Sequence, residues 1–194
     1  MERWDSYLSS VSAGLNGLAV TDREGHALPL ADAFSRWVEI THAVASGGGD
    51  VYFAGNGASA AMASHFAADA CKNARLRSHA LHEPALLTAC GNDEAFTEVF
   101  ALPLARLARP GDLLISISSS GASPNIVRAL EYARSVPLRV VTLSGRKAEN
   151  PSRRLGDLNF YVPSERYGWI ESAHNIVLHY WLDQYLNAHG QGAI

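Results

Sequence analysis

The 194-residue sequence holds only two cysteines, Cys71 and Cys90, too few for a disulfide framework, so a reducing cytoplasm is the expected compartment. Long apolar runs are missing as well. No stretch approaches the roughly 18 consecutive apolar residues of a membrane span. The opening MERWDSYLSS mixes both charge signs without an apolar run, and it does not read as a signal peptide. Nor is there a basic excess: 16 lysines and arginines face 19 acidic residues, for a net charge of −3. That balance argues against a nucleic-acid partner. Small acidic ligands stay open, because local donors bind them without a basic surface. Internal repeats, low-complexity tracts and charge runs are also lacking. The length suits one domain, which can bury about 70% of the surface its unfolded chain exposes.

The first fifty residues read as helical, with a break around Thr21 to Gly25. Trp4, Tyr7, Leu8 and Val11 recur at helical spacing, as do Phe34, Trp37, Val38 and Ile40–Thr41. Gly47, Gly48 and Gly49 stop the second helix. Beyond them the pattern changes. Val51 to Ala54 is a short β-branched and aromatic run, and a helix is expected from Ser59 to about Arg75. Its apolar stripe is narrow, made of Ala63, Phe66, Ala67, Ala70 and Ala74. Asp112 to Ser118 is the best central-strand candidate, followed by a helix opened by Pro124. Leu138–Leu143 and Asn159–Val162 read as further strands, and a long final helix is expected from Gly168 to Asn187. Strands apolar on both faces, alternating with helices, predict a parallel sheet covered on both sides. The expected class is α/β in three layers, with an N-terminal helical extension.

Two glycine–serine loops carry the chemistry. GNGAS (55–59) and SSSGAS (118–123) both sit where a strand hands over to a helix. Open α/β sheets bind ligands there, and a helix N-terminus offers free N–H groups and a positive dipole end to an anion. Gly57 and Gly121 allow close backbone approach, and the serine hydroxyls add donors without charge. A plainer reading has Ser59 and Ser123 merely capping their helices, but two such loops together favour an anion site. GNGASA also fits a dinucleotide fingerprint, with Glu83 as the ribose acid. That fingerprint leaves SSSGAS unexplained, so no nucleotide cofactor is expected.

AGNGASAAMASHFAAD (54–69), LTACGNDEAFTEVF (87–100), RPGDLLISISSSGASPNIVRALEYA (109–133), VVTLSGR (140–146) and ESAHNIVLH (171–179) together resemble the sugar isomerase (SIS) domain, and within it the phosphoheptose isomerases. The resemblance implies a single SIS domain over 1–194: a flavodoxin-like parallel α/β core at 50–194 and N-terminal helices at 1–49 that contribute to oligomerisation. It implies a homotetramer with active sites between subunits and, as activity, aldose–ketose isomerisation (an intramolecular oxidoreduction) of sedoheptulose 7-phosphate or a related ketose phosphate. Carried across position by position, Ser118, Ser119, Ser120 and Ser123 would hold the phosphate. Asn56, Gly57, Ala58, Asn92, Asp93 and Glu171 would line the sugar site. Asp69 and His179 would be catalytic, and His65, Asp69, Glu171 and His179 would bind Zn2+.

The residues themselves can support that chemistry. Isomerisation needs one group to take a proton from carbon and another to manage protons on oxygen, or a metal to polarise the carbonyl. His65 and Asp69 are spaced i, i+4, on a helix face roughly opposite the alanine stripe. Such a pair is either simply solvated or lines a site between subunits. Glu171 and His179 are about 12 Å apart along a helix axis, so they share one zinc only if their side chains lean together. His174 falls on the apolar stripe with Ile170, Val177 and Trp181 and is expected to pack rather than ligate. The sequence also departs from the family. Asp69 stands where the family has glutamate, Glu171 where it has glutamine, and Asn73 where it has arginine. The segment Tyr167–Ser172 replaces T-x-R-I-Q-E. Those changes leave a second class of function open: a non-catalytic SIS protein, either a tetramer that binds the bacterial replication initiator or a phosphosugar sensor.

Overall fold

The break expected near Thr21 is a β-hairpin. In the computed structural model, which describes residues 3–189, helix α1 (Trp4–Asn16) is followed by strands β1 (Ala19–Asp22) and β2 (Ala27–Leu28) before α2 (Leu30–Ser46). Asp22 builds the turn, accepting from the backbone N–H of Glu24 at 3.0 Å and of His26 at 2.8 Å. Four-residue and two-residue strands are too short to leave a periodic signal, which is why this stretch reads as a break.

The core alternates as expected: β3 (Asp50–Gly55), α3 (Ala58–Lys72), β4 (Arg77–Ala80), α4 (Pro84–Asp93), α5 (Ala101–Leu107), β5 (Leu113–Ser118), α6 (Pro124–Ser135), β6 (Arg139–Gly145), β7 (Leu158–Val162) and α7 (Tyr167–Ala188). Strand β4 and helices α4 and α5 have no counterpart in the sequence reading. β4 is a sheet edge whose RSHA side chains alternate exposed and half-buried, so no apolar run marks it.

Strand order is β2-β1-β7-β6-β5-β3-β4. The five strands from β3 to β7 pair in parallel, in the 2-1-3-4-5 order of flavodoxin-like sheets. The hairpin corrects the expectation of a purely parallel sheet, because β1 pairs antiparallel with both β2 and β7. Side chains of the central strands alternate between two cores, which confirms three layers. Phe53, Ile115, Ile117, Val141 and Leu143 face α2, α3 and α7, while Tyr52, Ala54, Leu114 and Val140 face α4, α5 and α6. In the larger core Trp37 stacks on Trp181 at 4.8 Å, and the Trp181 indole N–H donates to Thr41 Oγ1 at 3.1 Å. α3 ends at Lys72, short of the expected Arg75, and its alanine stripe is buried from Ala63 to Ala70, so this helix lies close on the sheet. None of the described helices is long and apolar enough to cross a membrane.

Candidate active site

In the order 2-1-3-4-5 successive strands are added outward in opposite directions from β3 and β5, and at that switch point the carboxyl ends of these two parallel neighbours open a crevice. A cavity of about 270 Å³ lies there, lined by Asn56 to Ser59, Ile117 to Ser120, Ser123, Tyr167 and Glu171. Both glycine–serine loops therefore converge on one site, beneath the N-termini of α3 and α6.

Each loop is fixed from behind. Gly57 takes φ +56° to turn β3 into α3, a conformation that disfavours any side chain. Gly121 takes φ +60°, and a Cβ there would overlap the Asn150 side chain. Ser152 holds the Gly121 carbonyl through its hydroxyl at 2.8 Å and its N–H at 3.0 Å. The two loops are lashed together by a reciprocal amide pair. Asn56 Nδ2 donates to Asn125 Oδ1 and Asn125 Nδ2 to Asn56 Oδ1, both at 2.9 Å. Asn56 thus spends both ends of its amide on the partner loop while bordering the cavity. Asn125 is a buried site-building residue that the sequence reading missed; its position one residue after the helix-opening Pro124 was the available signal.

The capping reading of the serines does not hold. Ser123 is the N-cap of α6 but its hydroxyl makes no capping bond, and the cap of α3 is Gly57, with Ser59 inside the helix. Ser118 Oγ accepts from Gly121 N–H and Ser120 Oγ from Ala122 N–H, both at 3.2 Å, so their hydrogens are free to turn toward a ligand. Ser119 is buried and donates a long bond, 3.5 Å, to Glu171 Oε1. The arrangement is an electroneutral donor cradle with one carboxylate in its wall.

His65, Asp69 and His179 form a second constellation, on the outer faces of α3 and α7. His65 Nε2 stands 3.4 Å from Asp69 Oδ2, the two imidazoles are 5.5 Å apart at their centroids, and one ligating atom from each of the three lies within 4.8 Å of the others. Phe66 supports His179 from below at 4.8 Å. Two imidazoles and a carboxylate at these separations suit a zinc ion bound by three protein ligands with a position left open, since donors on tetrahedral zinc stand roughly 3.4 Å apart. Glu171 is not in this group. It lies two helical turns earlier on α7, in the cavity beside Ser119.

Asn92 and Asp93 lie at the end of α4, exposed and bonded to each other at 2.7 Å, outside the cavity lining. His174 is buried, as its place on the apolar stripe implies; its Nε2–H donates to the Ser144 carbonyl at 3.1 Å. Burial pushes its pKa down to about 4, so it is a neutral packing residue.

Residues 26–145 match the SIS domain family. The phosphoheptose isomerase of Aromatoleum aromaticum is 37% identical over 164 residues, covering 80% of this chain and 81% of that protein. The same enzyme from Syntrophotalea carbinolica is 36% identical over 170 residues, covering 84% and 85%. Among solved structures, phosphoheptose isomerase from Neisseria gonorrhoeae superposes with a TM-score of 0.78 at 29% identity, covering 93% of this chain and 96% of that one. The conformation, the cavity at the switch point and the extent of these matches lead to one conclusion: the chain belongs to the SIS-domain proteins, in the phosphoheptose isomerase family.

Proposed function

We propose that the protein is a phosphosugar aldose–ketose isomerase, acting on sedoheptulose 7-phosphate or a closely related ketose phosphate. The observation that carries this reading is the serine loop whose hydroxyls are not used in capping, placed with two helix N-termini around one cavity. Donors of this kind suit a phosphate monoester, whose oxygens accept from hydroxyls and backbone N–H groups alike. With the phosphate at Ser118–Ser123, the sugar chain leaves along α7, past Glu171. The Glu171 carboxylate accepts from sugar hydroxyls.

Asp69 and His179 supply the two functions that isomerisation needs. One takes the proton from the carbon beside the carbonyl, and the other carries protons between the two oxygens. Alternatively, His65, Asp69 and His179 would together hold a zinc ion, which would supply Lewis-acid polarisation of a carbonyl; Asp69 and His179 would then serve as ligands instead of as acid and base. His65 and His179 are exposed on a single chain, and solvent on that face would quench the enediol. A second copy covering it excludes the water. A homotetramer provides such cover, and an apolar surface between α1, α2 and α7 with Leu30, Ile176 and Tyr180 exposed offers a contact for it.

The separation of the cradle from the His–Asp–His group, two helical turns along α7, favours one second reading: a phosphosugar sensor that binds without turnover. Proton NMR of sedoheptulose 7-phosphate with the protein in D₂O, with and without zinc, separates the two. An aldose anomeric signal, or deuterium at the carbon next to the carbonyl, supports the isomerase. A rise in melting temperature with the phosphosugar but no exchange supports the sensor. Neither response overturns both.

A further inference from the structure

The cavity has one aromatic in its wall, Tyr167, and its hydroxyl is already engaged on one side. Arg146 Nη1 donates to Tyr167 Oη at 3.1 Å, with the guanidinium carbon 5.3 Å from the ring centroid. An oxygen that accepts from a cation keeps its own hydrogen free to donate, and the adjacent positive charge makes that donor stronger. Arg146 is held for this task. It follows the last residue of β6 in a left-handed conformation, φ +58°, which costs a non-glycine residue energy. Its backbone is pinned at both polar groups: the N–H donates to Ser164 O at 2.9 Å, and the carbonyl accepts from Tyr161 Oη at 2.7 Å. Among the described residues Arg146 forms no ion pair with a carboxylate. Tyr167 opens α7 at the rim of the cavity, 54% exposed, so its phenol is held by Arg146 and can be reached by a ligand. Spacing of i, i+4 places Tyr167 and Glu171 on one face of α7, with Tyr167 the nearer to the open end.

We propose that Tyr167 is a further ligand-binding residue, donating its phenolic hydrogen to the anionic group seated in the serine loop, and that Arg146 is its positioning residue. The pair lends positive charge to a cradle whose other donors are neutral, which offsets the Glu171 carboxylate and selects phosphorylated over neutral sugars. This inference rests on the phosphosugar reading of the cavity.

Calorimetry with inorganic phosphate and with sedoheptulose 7-phosphate tests it on the full chain, using wild type, Tyr167→Phe, Arg146→Gln, Arg146→Lys and the Tyr167→Phe/Arg146→Gln double variant. Loss of one charge-assisted donor weakens binding of both ligands about five- to tenfold in Tyr167→Phe and in Arg146→Gln. The double variant is no weaker than Tyr167→Phe alone, because Arg146 acts through the phenol. Arg146→Lys retains part of the affinity. Unchanged affinity in Tyr167→Phe overturns the proposal while leaving the cavity reading intact. Fully additive losses overturn the positioning role, since Arg146 then reaches the anion by itself. If wild type binds neither ligand, the cavity reading falls and this inference with it.

Discussion

His174 shows how one buried group links the core to pH. Its folded pKa of about 4 lies below the ordinary value of 6.5, so the unfolded chain binds the extra proton first as pH falls. Between pH 6.5 and 4 the unfolded state therefore holds more protons than the folded one, and stability declines as pH drops through that window. Above it the contribution is complete. The shift corresponds to a loss of up to about 3 kcal/mol on acidification. His174→Gln removes the titration. Urea midpoints measured at neutral pH and near the lower limit should differ less in the variant than in wild type; equal acid sensitivity would rule His174 out as the source. Asp50, at the amino end of β3, is a contrasting case. Arg77 and His79 hold its carboxylate below the usual range although desolvation opposes them.

At the scale of elements, the serine loop between β5 and α6 owes its shape to one residue, Gly121. Its φ of +60° and the Asn150 side chain behind it exclude any Cβ. Gly121→Ala must either strain the backbone or push Asn150 away from the Ser144 hydroxyl it bonds at 3.2 Å. The expected cost is about 2–4 kcal/mol, seen as a lower melting temperature, together with loss of phosphate binding in calorimetry. A variant that melts like wild type and still binds phosphate would show that the loop tolerates another path. Gly57 at the head of α3 has the same backbone need but open space around it, so Gly57→Ala is the milder change.

The whole molecule places its chemistry at the sheet's switch point and leaves an apolar surface uncovered. Leu30, Ile176 and Tyr180 are 39%, 49% and 48% exposed, beside the partly buried Leu15 and Leu18. Burial of such a surface against a second copy is favourable at about 25 cal/mol per Å² of apolar area. Light scattering is expected to give a mass near four times the 20.9 kDa of one chain, and Ile176→Glu to lower it. If activity survives in a single-chain species, the site needs no neighbour and the intersubunit arrangement is wrong.

Much of this was legible in the residues themselves. Val51–Ala54 and Asp112–Ser118 announce central strands because a strand buried on both faces is apolar throughout. The loops that follow them stand out because glycine takes the positive φ at Gly57 and Gly121 at the least cost. The hairpin at 19–28 and the edge strand β4 left no such trace, being short and half-solvated. Grouping was decided by tertiary structure alone. Spacing along one helix set His65 beside Asp69, but bringing His179 to them required α3 and α7 to pack side by side on the sheet. The same packing put Glu171 with Ser119, and the return of β6 beside β5 put Arg146 against Tyr167. Local sequence dictates backbone conformation and which face is apolar; which distant side chains share a cavity depends on strand order, and no local pattern encodes that.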